Sequence, residues 1–144
     1  MNPENIHIRE YKKEDYKALL NLWQETDLGN PARGDNHQII QQSINIGGKL
    51  FILEYDNKII GTSWITFDGR RLHMHHFGIH PKFQNKGFGK TLLKNCLEFA
   101  KEKGYQIKLE VHKDNLSAIN LYTNAGFNFL GDYDLYIIRN LDEV

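Results

Sequence analysis

Two groups of residues carry types and spacings that can do chemistry. The first is Gln84-Asn85-Lys86-Gly87-Phe88-Gly89-Lys90, which lies where a strand-like run gives way to a helix-like one. The first N–H groups of a helix have no partner within it, and glycine lets an anion approach them with no Cβ in the way. A turn of this kind can cradle a pyrophosphate. The second group is the histidine row His73, His75, His76 and His80, with Tyr122 further downstream. A histidine, with an ordinary pKa of about 6.5, can take a proton at neutral pH, and a phenol of pKa about 10 can give one.

Each group also has a plainer reading. Short glycine patterns recur in ordinary loops. Gly89-Lys90-Thr91 matches the end of the nucleotide P-loop pattern G-x-x-x-x-G-K-[ST], but Gln84 stands where the first glycine belongs. The strand before it also falls in an antiparallel meander, where a P-loop follows a parallel strand. His73 and His75 share a strand face and could begin a zinc site, yet His76 is expected on the opposite face and no cysteine or carboxylate is close in sequence. No metal is expected. His76 and His80 read as surface or partly packed side chains, Cys96 as a core residue and not a nucleophile, and Tyr122 can equally be a packed aromatic.

The elements that must position these residues follow from periodicity. Ile6 to Arg9 alternates as a strand, Lys13 to Glu25 carries Tyr16, Leu19, Leu20 and Trp23 at helical spacing, and His37 to Ile46 reads as a second, weaker helix. Leu50 to Tyr55, Lys58 to Phe67 and Arg71 to Ile79 are β-rich runs separated by Asp56-Asn57 and Asp68-Gly69, both suited to tight hairpins. Leu92, Leu93, Cys96, Leu97 and Ala100 then mark a helix that stops before Gly104. Ile107 to Val111 is a strand, Ser117 to Ala125 a short helix, and Asn128 to Asn140 a closing hairpin. The order is βααβββαβαββ, an α/β chain with a mixed, largely antiparallel central sheet flanked by helices.

The 144 residues are 40% hydrophobic, enough for one domain spanning 1–144 with a sizeable core. The 18 basic and 18 acidic residues cancel, so overall charge recruits neither nucleic acid nor an anionic membrane. One cysteine cannot form an internal disulfide, the N-terminal residues lack the apolar run of a signal peptide, and no stretch is apolar enough to span a bilayer. A cytoplasmic setting is expected.

A second block sharpens the first. Gln84-x-x-Gly87-x-Gly89, followed by Asn115-x-x-Ala118-x-x-Leu121-Tyr122-x-x-x-Gly126-Phe127, resembles the GCN5-related N-acetyltransferase (GNAT) superfamily, and the element order from Ile6 to about Asn140 is similar to that fold. The resemblance implies an N-acetyltransferase that moves an acetyl group from acetyl-CoA to a primary amine by direct transfer in a ternary complex. It implies that the amides of Asn85, Lys86, Gly87, Phe88, Gly89 and Lys90, with Gln84 before them, hold the coenzyme A pyrophosphate. Phe77, Gly78 and Ile79 would pair with the pantetheine arm where their strand splays from the next. Asn115, also an N-cap candidate, would bond the pantetheine or a water beside it, and Tyr122 would lie near the sulfur as the acid.

The base departs from the family pattern. His73, with His75 on the same face, stands where the family often has a glutamate. By the same resemblance the acceptor channel is lined by the Asp27 to Asp35 loop, the Lys58 to Phe67 strand and the Gly131 to Asp134 turn. Acetyl-CoA is the cosubstrate, an amine the partner, and a homodimer is possible. A non-catalytic acyl-CoA sensor is the alternative from another class.

Overall fold

The computed structural model describes residues 2–144. In chain order it contains β1 (Ile6–Glu10), α1 (Tyr16–Glu25), α2 (His37–Asn45), β2 (Lys49–Tyr55), β3 (Lys58–Phe67), β4 (Leu72–Ile79), α3 (Phe88–Lys103), β5 (Ile107–Lys108) and α4 (Leu116–Asn124). The five strands form one sheet in sequence order. The first three pairings are antiparallel and β4 to β5 is parallel. The class is the expected one, α/β with a largely antiparallel sheet. Asp56 (φ 48°) and Asn57 (φ 64°) turn β2 into β3 with both central residues left-handed, as a two-residue hairpin matching strand twist requires.

The sheet is covered on both faces, which explains the unbroken apolar run in β2. Phe51 and Leu53 point to the α3 side, where they join Leu72, Met74, Leu92, Cys96 and Tyr122. Leu50 and Ile52 point the other way, to Leu19, Trp23 and Ile40 of the α1 and α2 layer. There the rings of Trp23 and Trp64 stack, with centroids 6.0 Å apart. Arg9 fastens that layer to the sheet. It donates to both carboxylate oxygens of Asp15 at 2.7 and 2.8 Å and also pairs with Glu54. Those hydrogen bonds hold the Asp15 carboxyl below the usual carboxylate range. Among the described residues no helix is long and apolar enough to cross a membrane.

Two expected elements differ. The fifth strand is paired only over Ile107–Lys108 instead of running to Val111. The closing hairpin does not form: Asn128 to Asn140 contains no strand, and residues 128–144 are exposed throughout. The reason is shared, because a strand is defined by its neighbour and neither segment has one beyond the two residue pairs that β5 makes with β4.

Candidate active site

β4 carries the histidines, and a bulge decides where they point. Trp64 of β3 pairs with His75 and Thr62 with Gly78, so His76 and Phe77 together face the single residue Ser63. His76 absorbs the extra residue with φ 49°, a left-handed conformation uncommon outside glycine. This turns its ring onto the α1 side, 4.6 Å from the ring centroid of Trp23 and 5.4 Å from that of Trp64. The expectation that His76 faces away from His73 and His75 is therefore corrected. Strict strand alternation gives that answer, and the bulge breaks the alternation. Even so, no group of three or more His, Cys, Asp or Glu side chains among the described residues is arranged to hold a metal ion.

Three of the four histidines in this row meet a carboxylate from a distant segment. His73 Nε2 pairs with Glu110 just beyond β5. His76 Nε2 lies 3.1 Å from Asp35 Oδ2, and His80 Nε2 2.5 Å from Glu25 Oε2. Among the described residues His75 meets no carboxylate. It contacts Thr66 Oγ1 at 2.9 Å, and its ring lies 3.9 Å from that of His73. Burial, followed by the neighbouring His73 and His76, lowers its pKa to about 4. It is thus neutral at pH 7 and a weak proton acceptor. Sequence reasoning placed Asp35 only at the end of the channel loop and missed its pairing with His76, as it missed the pairings of Glu25 and Glu110. Only Glu110 left a signal, as an outward residue of the strand expected beside β4.

β4 and β5 pair at Leu72 and His73 and then part. Beyond that point Phe77 turns to the α3 side, where its ring meets Tyr122 edge-on at 5.7 Å. Tyr122 is buried, and its hydroxyl has no hydrogen-bond partner within the chain among the described residues. Burial pushes the phenol up to about 12, so it stays protonated at neutral pH. Gly78 lies under the loop between α1 and α2. A Cβ built there would sit 2.6 Å from Leu28 Cδ1, so a larger residue would make the Leu28 side chain shift.

The loop between β4 and α3 is fastened by Gln84, whose side-chain amide donates to the Ile79 carbonyl at 2.9 Å. Asn85 (φ 61°) and Gly87 (φ 86°) are both left-handed, and Gly87 caps α3 without a side-chain hydrogen bond. The first N–H groups of α3 therefore stay available to a ligand. A Cβ on Gly87 would meet nothing within 4 Å, which leaves an open approach to that turn. Lys86 and Lys90 flank it, and Phe88 is buried beneath. A groove of about 440 Å³ runs from Lys90 between α3 and α4, with Leu93, Leu97, Leu121 and Ala125 in its walls. The geometry fits a pyrophosphate with an apolar extension beside it. Asn115 does cap α4, accepting from the Ala118 amide at 3.2 Å, and this leaves its side-chain NH₂ free to donate.

Cys96 is fully buried, with its thiol pushed up to about 12 by burial, in keeping with a core residue. The expected channel residues are partly brought together. The Asp27 to Asp35 loop and β3 both border the histidine face through Asp35, Trp64 and Thr66. The Gly131 to Asp134 turn stands exposed, and among the described residues no side-chain hydrogen bond ties it to the site.

Comparison with known proteins agrees with the fold. The model of the acetyltransferase (GNAT) family matches residues 10–127, and the chain belongs to that family. Its fold is similar to that of an acetyltransferase from Streptococcus agalactiae 2603, with 21% identity, a TM-score of 0.78, and 94% of this chain and 92% of that one covered. It is also similar to a GNAT-family acetyltransferase from Staphylococcus aureus Mu50, with 23% identity, a TM-score of 0.75, and coverage of 90% and 88%. A third, from Elizabethkingia anophelis and solved with acetyl-CoA bound, has 26% identity, a TM-score of 0.64, and coverage of 87% and 77%.

Proposed function

We propose that this chain acts as one N-acetyltransferase domain that passes an acetyl group from acetyl-CoA directly to a primary amine. The observation that carries the reading is the parting of β4 from β5 between two sets of groups. Tyr122 and Phe77 lie on the α3 side and the histidine row lies on the α1 side. In the reaction a C–N bond forms as the thioester C–S bond breaks. The two sides supply the two proton transfers this needs.

On the α3 side, the amides at the start of α3 with Lys86 and Lys90 hold the pyrophosphate, and the free edge of Phe77 to Ile79 pairs with the amides of the pantetheine arm. Asn115 donates its remaining amide to the same arm. Tyr122, protonated at neutral pH, gives its proton to the departing sulfur. On the α1 side the amine enters beside Trp64 and the Asp35 loop. His75, lowered to about 4, is poorly suited to deprotonate it. We assign that step to His73, whose partner Glu110 is 45% exposed in its side chain and offers the proton an exit to water.

A panel of small amines and peptides with acetyl-CoA, scored by thiol release, tests the reading. His73→Gln should lower turnover and change its pH profile, whereas His75→Gln should leave the profile in place. No thiol release with any amine, despite measurable acetyl-CoA binding, would support the non-catalytic sensor instead.

A further inference from the structure

Asp35, in the loop on the α1 side, and Tyr122, on the opposite face of the sheet, are joined through one strained residue. Strict alternation along β4 would put His75 and Phe77 on the α1 side and His76 on the α3 side. His75 does face that way, with its ring 6.4 Å from that of Trp64. The bulge opposite Ser63 then inverts the next two residues. His76 joins the α1 side, and Phe77 crosses to the α3 side, where it meets Tyr122 edge-on at 5.7 Å.

The meeting of Phe77 and Tyr122 therefore depends on His76 keeping its φ of 49°. A residue with a Cβ holds that conformation only where its surroundings impose it. If His76 relaxed to ordinary strand geometry, Phe77 would swing back to the α1 side, away from Tyr122. The rings of Trp23 and Trp64 pack around His76 at 4.6 and 5.4 Å, but apolar packing gives the imidazole little direction. Ser63, across the bulge, makes no hydrogen bond to His76 or Phe77 with its hydroxyl among the described residues. The directional hold comes from Asp35, whose Oδ2 lies 3.1 Å from His76 Nε2. Asp35 is itself fixed, since its carboxylate accepts from the Asn30 amide and its carbonyl from the Tyr16 hydroxyl.

We infer that Asp35 is a positioning residue for the transfer: by holding His76 in its left-handed turn, it keeps Phe77 against Tyr122 and so sets the acid at the thioester. The inference rests on the acetyltransferase reading above. In that reading the pyrophosphate is held at the start of α3, away from the bulge. Loss of the hold should therefore misplace the reacting end of acetyl-CoA and leave most of its binding intact.

A double-mutant cycle between Asp35→Ala and His76→Gly tests this, because glycine takes a positive φ freely and needs no hold. The rates are measured with acetyl-CoA and the amine of the panel that releases most thiol. With His76 in place, Asp35→Ala should lower kcat by at least about 10-fold, since a misplacement of about 1 Å can cost 10²-fold. The KM for acetyl-CoA should change by less than about threefold. In the His76→Gly background the same substitution should lower kcat by less than about twofold, as for independent sites. The stability lost with the Asn30 hydrogen bond should appear in both backgrounds, because that role of Asp35 does not run through His76. If Asp35→Ala does not fold, Asp35→Asn, which keeps an acceptor for Asn30, runs the same cycle with a smaller loss.

The NMR resonances of the Tyr122 ring protons give a readout that needs no turnover. They should move in Asp35→Ala and stay in place when Asp35→Ala is added to His76→Gly. Equal losses of kcat in both backgrounds would overturn the inference, as would Tyr122 resonances that Asp35→Ala leaves unmoved. A raised KM for the amine with kcat intact would also overturn it and make Asp35 an acceptor contact. If the wild type releases no thiol with any amine, the acetyltransferase reading fails, and the Tyr122 resonances alone decide whether Asp35 acts through His76.

Discussion

His76 and Asp35 meet with Nε2 and Oδ2 3.1 Å apart, which ties the bulge of β4 to the loop between α1 and α2. The contact has the distance of an ion pair without the alignment of a hydrogen bond, and His76 Nε2 is buried with no other partner. Asp35 also accepts from the Asn30 amide at 2.5 Å and, through its carbonyl, from the Tyr16 hydroxyl at 3.1 Å. One carboxylate therefore organises both the loop and the strained residue on which it rests.

Replacing Asp35 with alanine should cost stability by about 1–3 kcal/mol, because it orphans the Asn30 amide and leaves buried His76 facing no carboxylate. Asp35→Asn keeps an acceptor for Asn30 and should cost less. Urea unfolding of the two variants measures the difference. Equal losses would mean that the charge on Asp35 does nothing for His76.

His75 gives the fold a defined acid sensitivity. Its folded pKa, about 4, lies below the ordinary histidine value of about 6.5, so between those values the unfolded chain binds the extra proton. This contribution is favourable above about 6.5 and is lost as pH falls towards 4, by at most about 3 kcal/mol. His75→Gln should flatten the stability curve across that window. A variant curve parallel to the wild type from pH 7 to 4 would assign the sensitivity to other groups.

What could be read from the sequence was local. The Gln84 to Gly89 turn, the Asp56-Asn57 hairpin and the apolar stripe of α3 each follow from residues within one or two turns of each other. The direction of His76 was not readable, because the bulge exists only through the register between β3 and β4. Nor were Asp35 and Glu25, which reach the histidines from other elements and leave no spacing to notice. The segment Asn128 to Asn140 shows the same limit from the other side. Its residue types suggest strands, but a strand needs a neighbour, and periodicity does not say whether one is in place.

Gly89 is the cleaner probe of the anion cradle. A side chain at Gly87 would be strained by its φ of 86°. At Gly89 a Cβ meets Leu121 Cδ2 at 3.5 Å and Ile79 Cγ1 at 3.9 Å, which are ordinary contacts. Gly89→Val should therefore fold while crowding the first amides of α3, and acetyl-CoA affinity should fall at least about 10-fold, roughly 1.4 kcal/mol. Titration calorimetry on the folded variant decides this, and unchanged affinity would move the pyrophosphate off this turn.

Tyr122 allows the sharpest separation of binding from chemistry. Its ring packs between Phe77 and Phe127, with centroids 5.7 and 5.8 Å away, and Tyr122→Phe keeps both contacts while removing only the hydroxyl. That hydroxyl has no hydrogen-bond partner within the chain among the described residues, so its loss should cost little stability. Acetyl-CoA affinity should survive. If the phenol protonates the departing sulfur, kcat should drop by about 10²- to 10⁴-fold, the usual worth of general acid assistance. A thiolate is already a fair leaving group, so a loss of only a few-fold would fit a hydroxyl that positions the sulfur without giving it a proton. Single-turnover kinetics distinguishes these outcomes by isolating the chemical step. A wild-type single-turnover rate in Tyr122→Phe would leave Tyr122 a packing residue and put the proton donor elsewhere.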